Sequence, residues 1–488
     1  MSPVPGVRAL LAGTSTLCAL LALGAATGGT ERSAGAAHGP FDAQFTGRTL
    51  RADIVHVGDA GRETVGFERW RLEGPWPGPR RALTVASPRG EYLAELVAPS
   101  GTLLYSTSFS GIFAEWQTTA EAAAGRVRAF PASVRVPEPR RPARLRLSRR
   151  GEDGRFSVLL EIPWAPDDPA VDRRPVATVG EVVPLRVTGT PSERFDLLIA
   201  GEGYTAAGRD KLLADARRLV DAWLSVEPMA GLADRIDVRV LFVPAGRRGV
   251  TDPRRDRWRA SPFGCAYGSL GSDRYVLTLD DRRLRELAAQ APYDALVLLL
   301  DERKYGGGGI YGLWATVAAD TAPAAYVFVH ELGHSIAGLA DEYYLSSVAY
   351  DNLPPVTREP VEPNVTALID GRPKWADLVA ESTPIPTPWN KDAFDRLVRG
   401  FEERRRAITE AGGDDDAMEA LFAEQARRTG ELLAREPFRD VVGAFEGAAY
   451  RTRGLWRPAL DCLMFRRGAT GFCPVCRRAI ESELRRYF

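Results

Sequence analysis

Two histidines four residues apart, in a chain with only four, set the tightest constraint on this sequence. The segment is His330-Glu331-Leu332-Gly333-His334; the other histidines are His38 and His56. The run before it, Ala324-Ala-Tyr-Val-Phe-Val329, is apolar and belongs in a core. Asp320-Thr-Ala-Pro323 precedes this stretch and Gly338 follows it. Proline suits a first helical turn and glycine the position just past a helix end. The pattern predicts one buried helix that ends near Gly338. Side chains at i and i+4 share a helix face, so both imidazoles can reach one metal ion. Glu331 sits beside them, placed to take a proton from water. A hydrolytic zinc site needs three protein ligands, and no third histidine exists in this half of the chain. The third ligand is therefore expected to be a carboxylate.

The chain is long enough, at 488 residues, for two or three domains. With 45% apolar residues it can build a sizeable core. From Phe41 to about Pro175, short apolar stretches alternate with Gly, Pro and charged turns. Arg51–Val57, Leu93–Val97, Leu103–Ser106 and Phe156–Ile162 have strand character, and only Thr119–Ala124 looks helical. This predicts an N-terminal β-sandwich over 41–175. Trp70, Trp76, Trp116 and Trp164 fit core packing better than carbohydrate platforms. Pro-rich stretches occur at 137–145 and 163–175, and the second marks the boundary. Beyond it strands and helices alternate. Phe195–Ala200, Ile236–Val243 and Tyr293–Leu300 read as strands, Thr205–Leu224 and Asp281–Gln290 as helices. That order predicts an α/β catalytic domain over 181–488 with mostly parallel strands. Tyr305-Gly-Gly-Gly-Gly309 lets the backbone approach a ligand. The apolar segment after it, 310–317, is expected to be an edge strand able to pair with an extended peptide. Residues 391–435 are charged and helical, an inserted hairpin with a solvated face.

The first 29 residues have the order of a signal peptide: Arg8, an apolar run from Ala9 to Ala26, then small residues. Residues 30–40 read as a linker. The expected location is secreted, extracellular or periplasmic, with no transmembrane segment after the signal. Lys plus Arg equals Asp plus Glu, 64 each, so nothing electrostatic points to nucleic acid as a partner. Four cysteines follow the signal: Cys265, Cys462, Cys473 and Cys476. Export favours two disulfides with Cys462 a partner of the closely spaced pair. The competing reading is a structural zinc site, since Cys473-Pro-Val-Cys476 has ligand spacing.

After the predicted helix comes Gly338-Leu-Ala-Asp341-Glu342-Tyr343. This resembles the metzincin arrangement, in which a glycine turn delivers a His or Asp ligand six residues past the second histidine. Asp341 lies seven past His334, so Asp341 and Glu342 both stay open. Asp341 is preferred because Gly-Leu-x-Asp matches the Asp-bearing variant, and Glu446 is an outside candidate. Metzincins also carry a methionine turn, for which Met464 in Asp461-Cys-Leu-Met-Phe465 is well placed.

With Asp196-Leu-Leu-Ile-Ala-Gly-Glu-Gly-Tyr204, Val442-Gly-Ala-Phe-Glu-Gly-Ala-Ala-Tyr450 and Phe472-Cys-Pro-Val-Cys476, the chain resembles the IgA peptidase family of zinc metallopeptidases. Residues from Phe41 through Trp76-Pro-Gly78 resemble that family's N-terminal module. The family takes its name from one substrate, which does not carry over to this chain. The resemblance implies a metzincin-like catalytic domain and a secreted zinc endopeptidase acting on protein or peptide. One catalytic Zn²⁺ is implied on His330, His334 and Asp341, with Glu331 as general base. Tyr450 is either a donor to the oxyanion or a packed core tyrosine. The alternatives are a zinc amidohydrolase of cell-wall or carbohydrate material, and a surface binding protein with a vestigial zinc site.

Overall fold

The computed structural model describes residues 41–345, 356–413 and 415–488. The expected signal peptide and linker lie outside them. A helical turn α1 (Phe41–Gln44) leads into β1 (Phe45–Gly58), β2 (Glu63–Pro75), β3 (Tyr92–Val97) and β4 (Leu103–Phe109). Short helices α2 (Ile112–Gln117) and α3 (Ala120–Ala123) precede β5 (Arg128–Pro139), β6 (Ala143–Arg150) and β7 (Phe156–Trp164). The strands form two antiparallel sheets, β2-β1-β5 and β4-β3-β6-β7. Leu50, Trp70 and Leu72 of the first share a core with Tyr92, Leu96, Leu147 and Trp164 of the second. Two sheets closing over one core match the expected sandwich. Trp70, Trp76, Trp116 and Trp164 are all buried, which makes them packing groups. The Pro-rich stretch at 137–145 spans the connection from β5 in one sheet to β6 in the other, with Pro137 opposite Thr49 and Pro139 opposite Phe45. β5 is an edge strand, where a missing N–H breaks no ladder bond.

The second half alternates β8 (Glu181–Arg186), β9 (Phe195–Glu202), α4 (Arg209–Leu224), β10 (Ile236–Phe242), α5 (Asp281–Ala288), β11 (Ala295–Leu300), β12 (Gly307–Ile310), β13 (Trp314–Ala318) and α6 (Ala324–Ala337). The six strands form one sheet in the order β12-β13-β11-β9-β10-β8. Its four inner strands are parallel, and β12 and β8 run antiparallel at the edges. Leu197 and Ile199 of β9 face one core; Leu198 and Ala200 face the other. Burial on both faces explains why these strands are unbroken apolar runs. Side chains of α4, α6 and the C-terminal helix α9 (Pro474–Leu484) cover one face. The opposite core includes Ile112, Phe113, Trp116 and Phe130 from the N-terminal region. Sandwich and sheet thus share buried surface, and the described residues form one compact unit.

Two expectations need correction. The edge of the sheet is not the apolar segment 310–317. Ile310 ends β12, and β13 is buried throughout between β12 and β11. The glycine run itself forms the edge, as β12. The two disulfides are also absent: Cys265, Cys462, Cys473 and Cys476 are all unpaired. Cys265 belongs to the core on one face of the sheet, the other three to the core on the opposite face. The sheet keeps Cys265 from any partner. Cys462 Sγ lies 3.8 Å from Cys476 Sγ, against ~2.05 Å for a disulfide bond.

Helices α7 (Lys391–Glu410) and α8 (Asp415–Leu433) form the expected hairpin, packed through Phe401, Met418, Leu421 and Phe422. A small antiparallel pair, β14 (Phe445–Ala448) and β15 (Arg451–Arg457), follows. No helix among the described residues is long and apolar enough to cross a membrane.

Candidate active site

Helix α6 starts after Pro323 and ends at Gly338, whose φ of 56° is left-handed. Glycine takes that conformation without a Cβ clash. Side-chain spacing then puts the two imidazoles together, with Nε2 of His330 and Nε2 of His334 3.1 Å apart. Each ring is fixed from behind. Nδ1 of His330 donates to Leu463 O at 2.9 Å, and Nδ1 of His334 donates to Leu339 O at 2.6 Å. A ring that spends its Nδ1–H on a carbonyl presents a bare lone pair at Nε2, the state a metal ligand needs.

The turn at Gly338 brings in Asp341. Its Oδ1 lies 3.0 Å from Nε2 of His330 and 3.3 Å from Nε2 of His334. The three side chains form a group whose donor atoms all lie within 4.8 Å. Glu342 turns the other way and is fully buried. Its N–H donates to Met464 O at 2.8 Å and its carboxylate accepts from Asn364 Nδ2 at 3.1 Å. Asn364 also holds both backbone groups of Ala340, which sets the path of the chain just before Asp341. Glu446 is on β14, where Oε1 accepts from Gly454 N at 3.3 Å; it is not in the group.

Charge within this buried group is strongly coupled. Burial opposes ionisation of Asp341, but His334 and His330 hold its carboxyl well below the usual range. Burial lowers His334, yet the Asp341 carboxylate prevails and lifts it to about 9. Burial pushes the Glu331 carboxyl up from its ordinary value, against the pull of both histidines.

The surroundings are close-packed. Met464 is fully buried, and its Sδ would sit 3.0 Å from a Cβ added to Gly333. On the other side a Cβ on Gly309 would meet Glu331 O at 2.4 Å and one on Gly308 would meet the Tyr275 ring at 2.3 Å. Only glycine lets β12 lie this near to α6. The β14–β15 hairpin delivers Tyr450, whose hydroxyl donates to Asp341 Oδ2 and lies 3.1 Å from Tyr343 Oη. A pocket beside the histidines is lined by Tyr326, His330 and Glu331 on one side and by Phe394, Arg405 and Phe422 of the helical hairpin on the other.

Residues 183–484 match the family described as IgA Peptidase M64, and residues 40–161 match the family described as Peptidase M64 N-terminus. The chain belongs to the IgA peptidase M64 family. No curated protein matches it. Membership makes it a peptidase, a hydrolase with protein or peptide as substrate.

Of the residues singled out in this M64 sequence, the structure assembles His330, Glu331, His334, Asp341, Tyr450 and Met464 around one point. It leaves Glu342 and Glu446 outside. Sequence reasoning missed three features around this site. The helical hairpin is a wall of the pocket, signalled only by the apolar spacing of Phe394, Val398 and Phe401. Asn364 gave no signal at all. Glu115, on α2 of the N-terminal module, accepts from Tyr275 Oη at 3.4 Å. Burial and then Glu91 push it up to about 7.

Proposed function

We propose that this M64 peptidase is an exported, zinc-dependent endopeptidase with a metzincin-like catalytic region. The observation that carries the reading is the convergence of two imidazole Nε2 atoms and Asp341 Oδ1, with both rings oriented through Nδ1. This donor set is two neutral nitrogens and one carboxylate oxygen, which suits zinc and leaves a fourth position for water or substrate. When bound, zinc supplies Lewis-acid polarisation of the scissile carbonyl and makes water more acidic.

The chain supplies the rest. Glu331 is the neighbour of His330 on α6 and acts as general base. It takes the proton of the attacking water and passes it to the leaving amine. A carboxyl raised by its surroundings holds that proton between the two transfers. Tyr450 holds Asp341 in its ligand orientation. This role replaces the direct contact with the oxyanion, because its hydroxyl is committed to Oδ2. The pocket walled by Phe394, Phe422 and Arg405 receives a substrate side chain. The outer edge of β12 is bridged to Tyr275 at Gly307, so a peptide aligned on this edge pairs beyond that point.

The test is digestion of casein or gelatin with and without chelator, alongside Glu331→Gln. The variant is expected to bind zinc like wild type and to lose ~10²–10⁴-fold in rate. Near-normal turnover in Glu331→Gln, or chelator-resistant digestion, would rule the mechanism out.

A further inference from the structure

Behind the candidate catalytic group lies a second set of metal-ligating side chains. Glu342, Cys462, Cys473 and Cys476 are all buried, and one donor atom from each lies within 4.8 Å of the others. They come from three places in the chain: the loop after α6, the segment carrying Met464, and the first turn of α9. Zinc–sulfur bonds of ~2.3 Å in a tetrahedron put neighbouring sulfurs about 3.8 Å apart. Cys462 Sγ and Cys476 Sγ are separated by 3.8 Å. Three backbone N–H groups point at the sulfurs. Met464 N and Cys473 N approach Cys462 Sγ at 3.5 and 3.4 Å, and Cys476 N approaches Cys473 Sγ at 3.5 Å. Such donors stabilise thiolate over thiol. Glu342 Oε1 is 3.1 Å from Cys476 Sγ, while Oε2 is buried with no hydrogen-bond partner. A buried carboxylate oxygen left unpaired is costly unless a cation satisfies it.

We propose that these four residues bind a structural divalent metal of the zinc class, separate from the catalytic one. Three thiolates and one carboxylate make a closed four-coordinate site with no position open for substrate, the mark of a structural zinc. Binding sends the thiol protons to solvent. The site braces the catalytic group. Glu342 directly follows Asp341 in the chain. Cys462 directly precedes Leu463, whose carbonyl orients His330. A metal joining Glu342 to Cys462 fixes both the third-ligand loop and the carbonyl that supports His330. The two sites share no ligand, so this inference can fail while the peptidase reading stands.

The full-length protein decides it. Wild type is expected to hold two zinc ions per chain. His330→Ala/His334→Ala is expected to retain one. Cobalt replacing zinc in wild type should give a thiolate-to-cobalt charge-transfer band in the near ultraviolet. The catalytic group has no sulfur donor, so that band reports the cysteine site even if the histidine variant does not fold. Absence of the band overturns the proposal. So does loss of all metal from a folded histidine variant, or a mass two hydrogens low from a Cys462–Cys476 disulfide.

Discussion

Tyr450 and its neighbour Ala449 have positive φ, 60° and 47°, at the two-residue turn between β14 and β15. Neither residue type favours that region, and the cost is of order ~1–3 kcal/mol for each. Local contacts hold the turn in place: Ala449 N donates to Asp341 O at 3.0 Å and Tyr450 N to Tyr343 O at 3.2 Å. The strained turn thus grips the loop that bears Asp341 and sets the tyrosine hydroxyl on its carboxylate. Tyr450→Phe removes that hydrogen bond and leaves the ring packing. Loss of a partner behind a metal ligand typically weakens metal affinity ~10–100-fold. Competition with a chelating dye should show that drop with an unchanged melting curve for the metal-free protein. Unchanged affinity would make Tyr450 a packing residue only. The choice between Asp341 and Glu342 also belongs to this scale. Both are carboxylates in adjacent positions, and spacing alone could not separate them. Asn364, more than twenty residues downstream, settles which one faces the histidines.

At the level of elements, β12 and α6 depend on each other. β12 reads Gly-Gly-Gly-Ile, poor strand material by propensity. It is a strand because β13 pairs with it on one side and because α6 leaves no room for side chains. Gly309→Ala places a Cβ 2.4 Å from Glu331 O, against backbone that cannot rotate away. Overpacking of this kind costs ~1–3 kcal/mol, and here it displaces the turn of α6 that carries Glu331. Peptide hydrolysis should fall at least tenfold, with a lower melting temperature. A variant with wild-type kcat/KM would show that the approach of β12 to α6 is not needed. The sequence makes the glycines conspicuous as a close approach to a ligand and places the edge strand in the apolar segment after them. Glycine shows that a close approach happens and does not show to what.

Across the whole molecule, the N-terminal sandwich is part of the peptidase's core. Arg51 on β1 is fully buried. It pairs with Asp53 and Glu73 of its own sheet and with Glu286 on α5 of the other region. Arg135 stacks on the Tyr293 ring, 3.7 Å from its centroid. Arg89 donates to Ala337 O at the C-terminal end of α6, where a positive charge suits the helix dipole. Arg51→Ala removes the one fully buried cation between Asp53 and Glu73 and leaves them Arg69 and Arg135 alone, a loss of up to ~3–5 kcal/mol. Urea unfolding should show one transition for both regions, shifted to lower denaturant in the variant. Early loss of the sandwich alone, with peptidase activity intact, would mean that the regions are energetically separate.

What the sequence determined alone is local. His330, Glu331 and His334 sit within two turns of one helix, so helical geometry brings them together wherever that helix packs. Asp341 follows across one glycine turn. The alternating strands and helices, apolar through both faces, specify a sheet buried on two sides, and short apolar stretches broken by Gly, Pro and charged turns specify the sandwich. Tertiary structure decided whatever depends on residues distant in the chain. It carried Cys462, Cys473 and Cys476 to Glu342 and kept Cys265 apart, so an even cysteine count did not translate into disulfides. It turned the helical hairpin into a pocket wall and brought Glu115 of the N-terminal region near His334 and Asp341. Beyond the apolar spacing on the hairpin and the Cys473–Cys476 spacing none of these has a local signature, because a cysteine or a glutamate looks the same in sequence whichever distant group the fold sets against it.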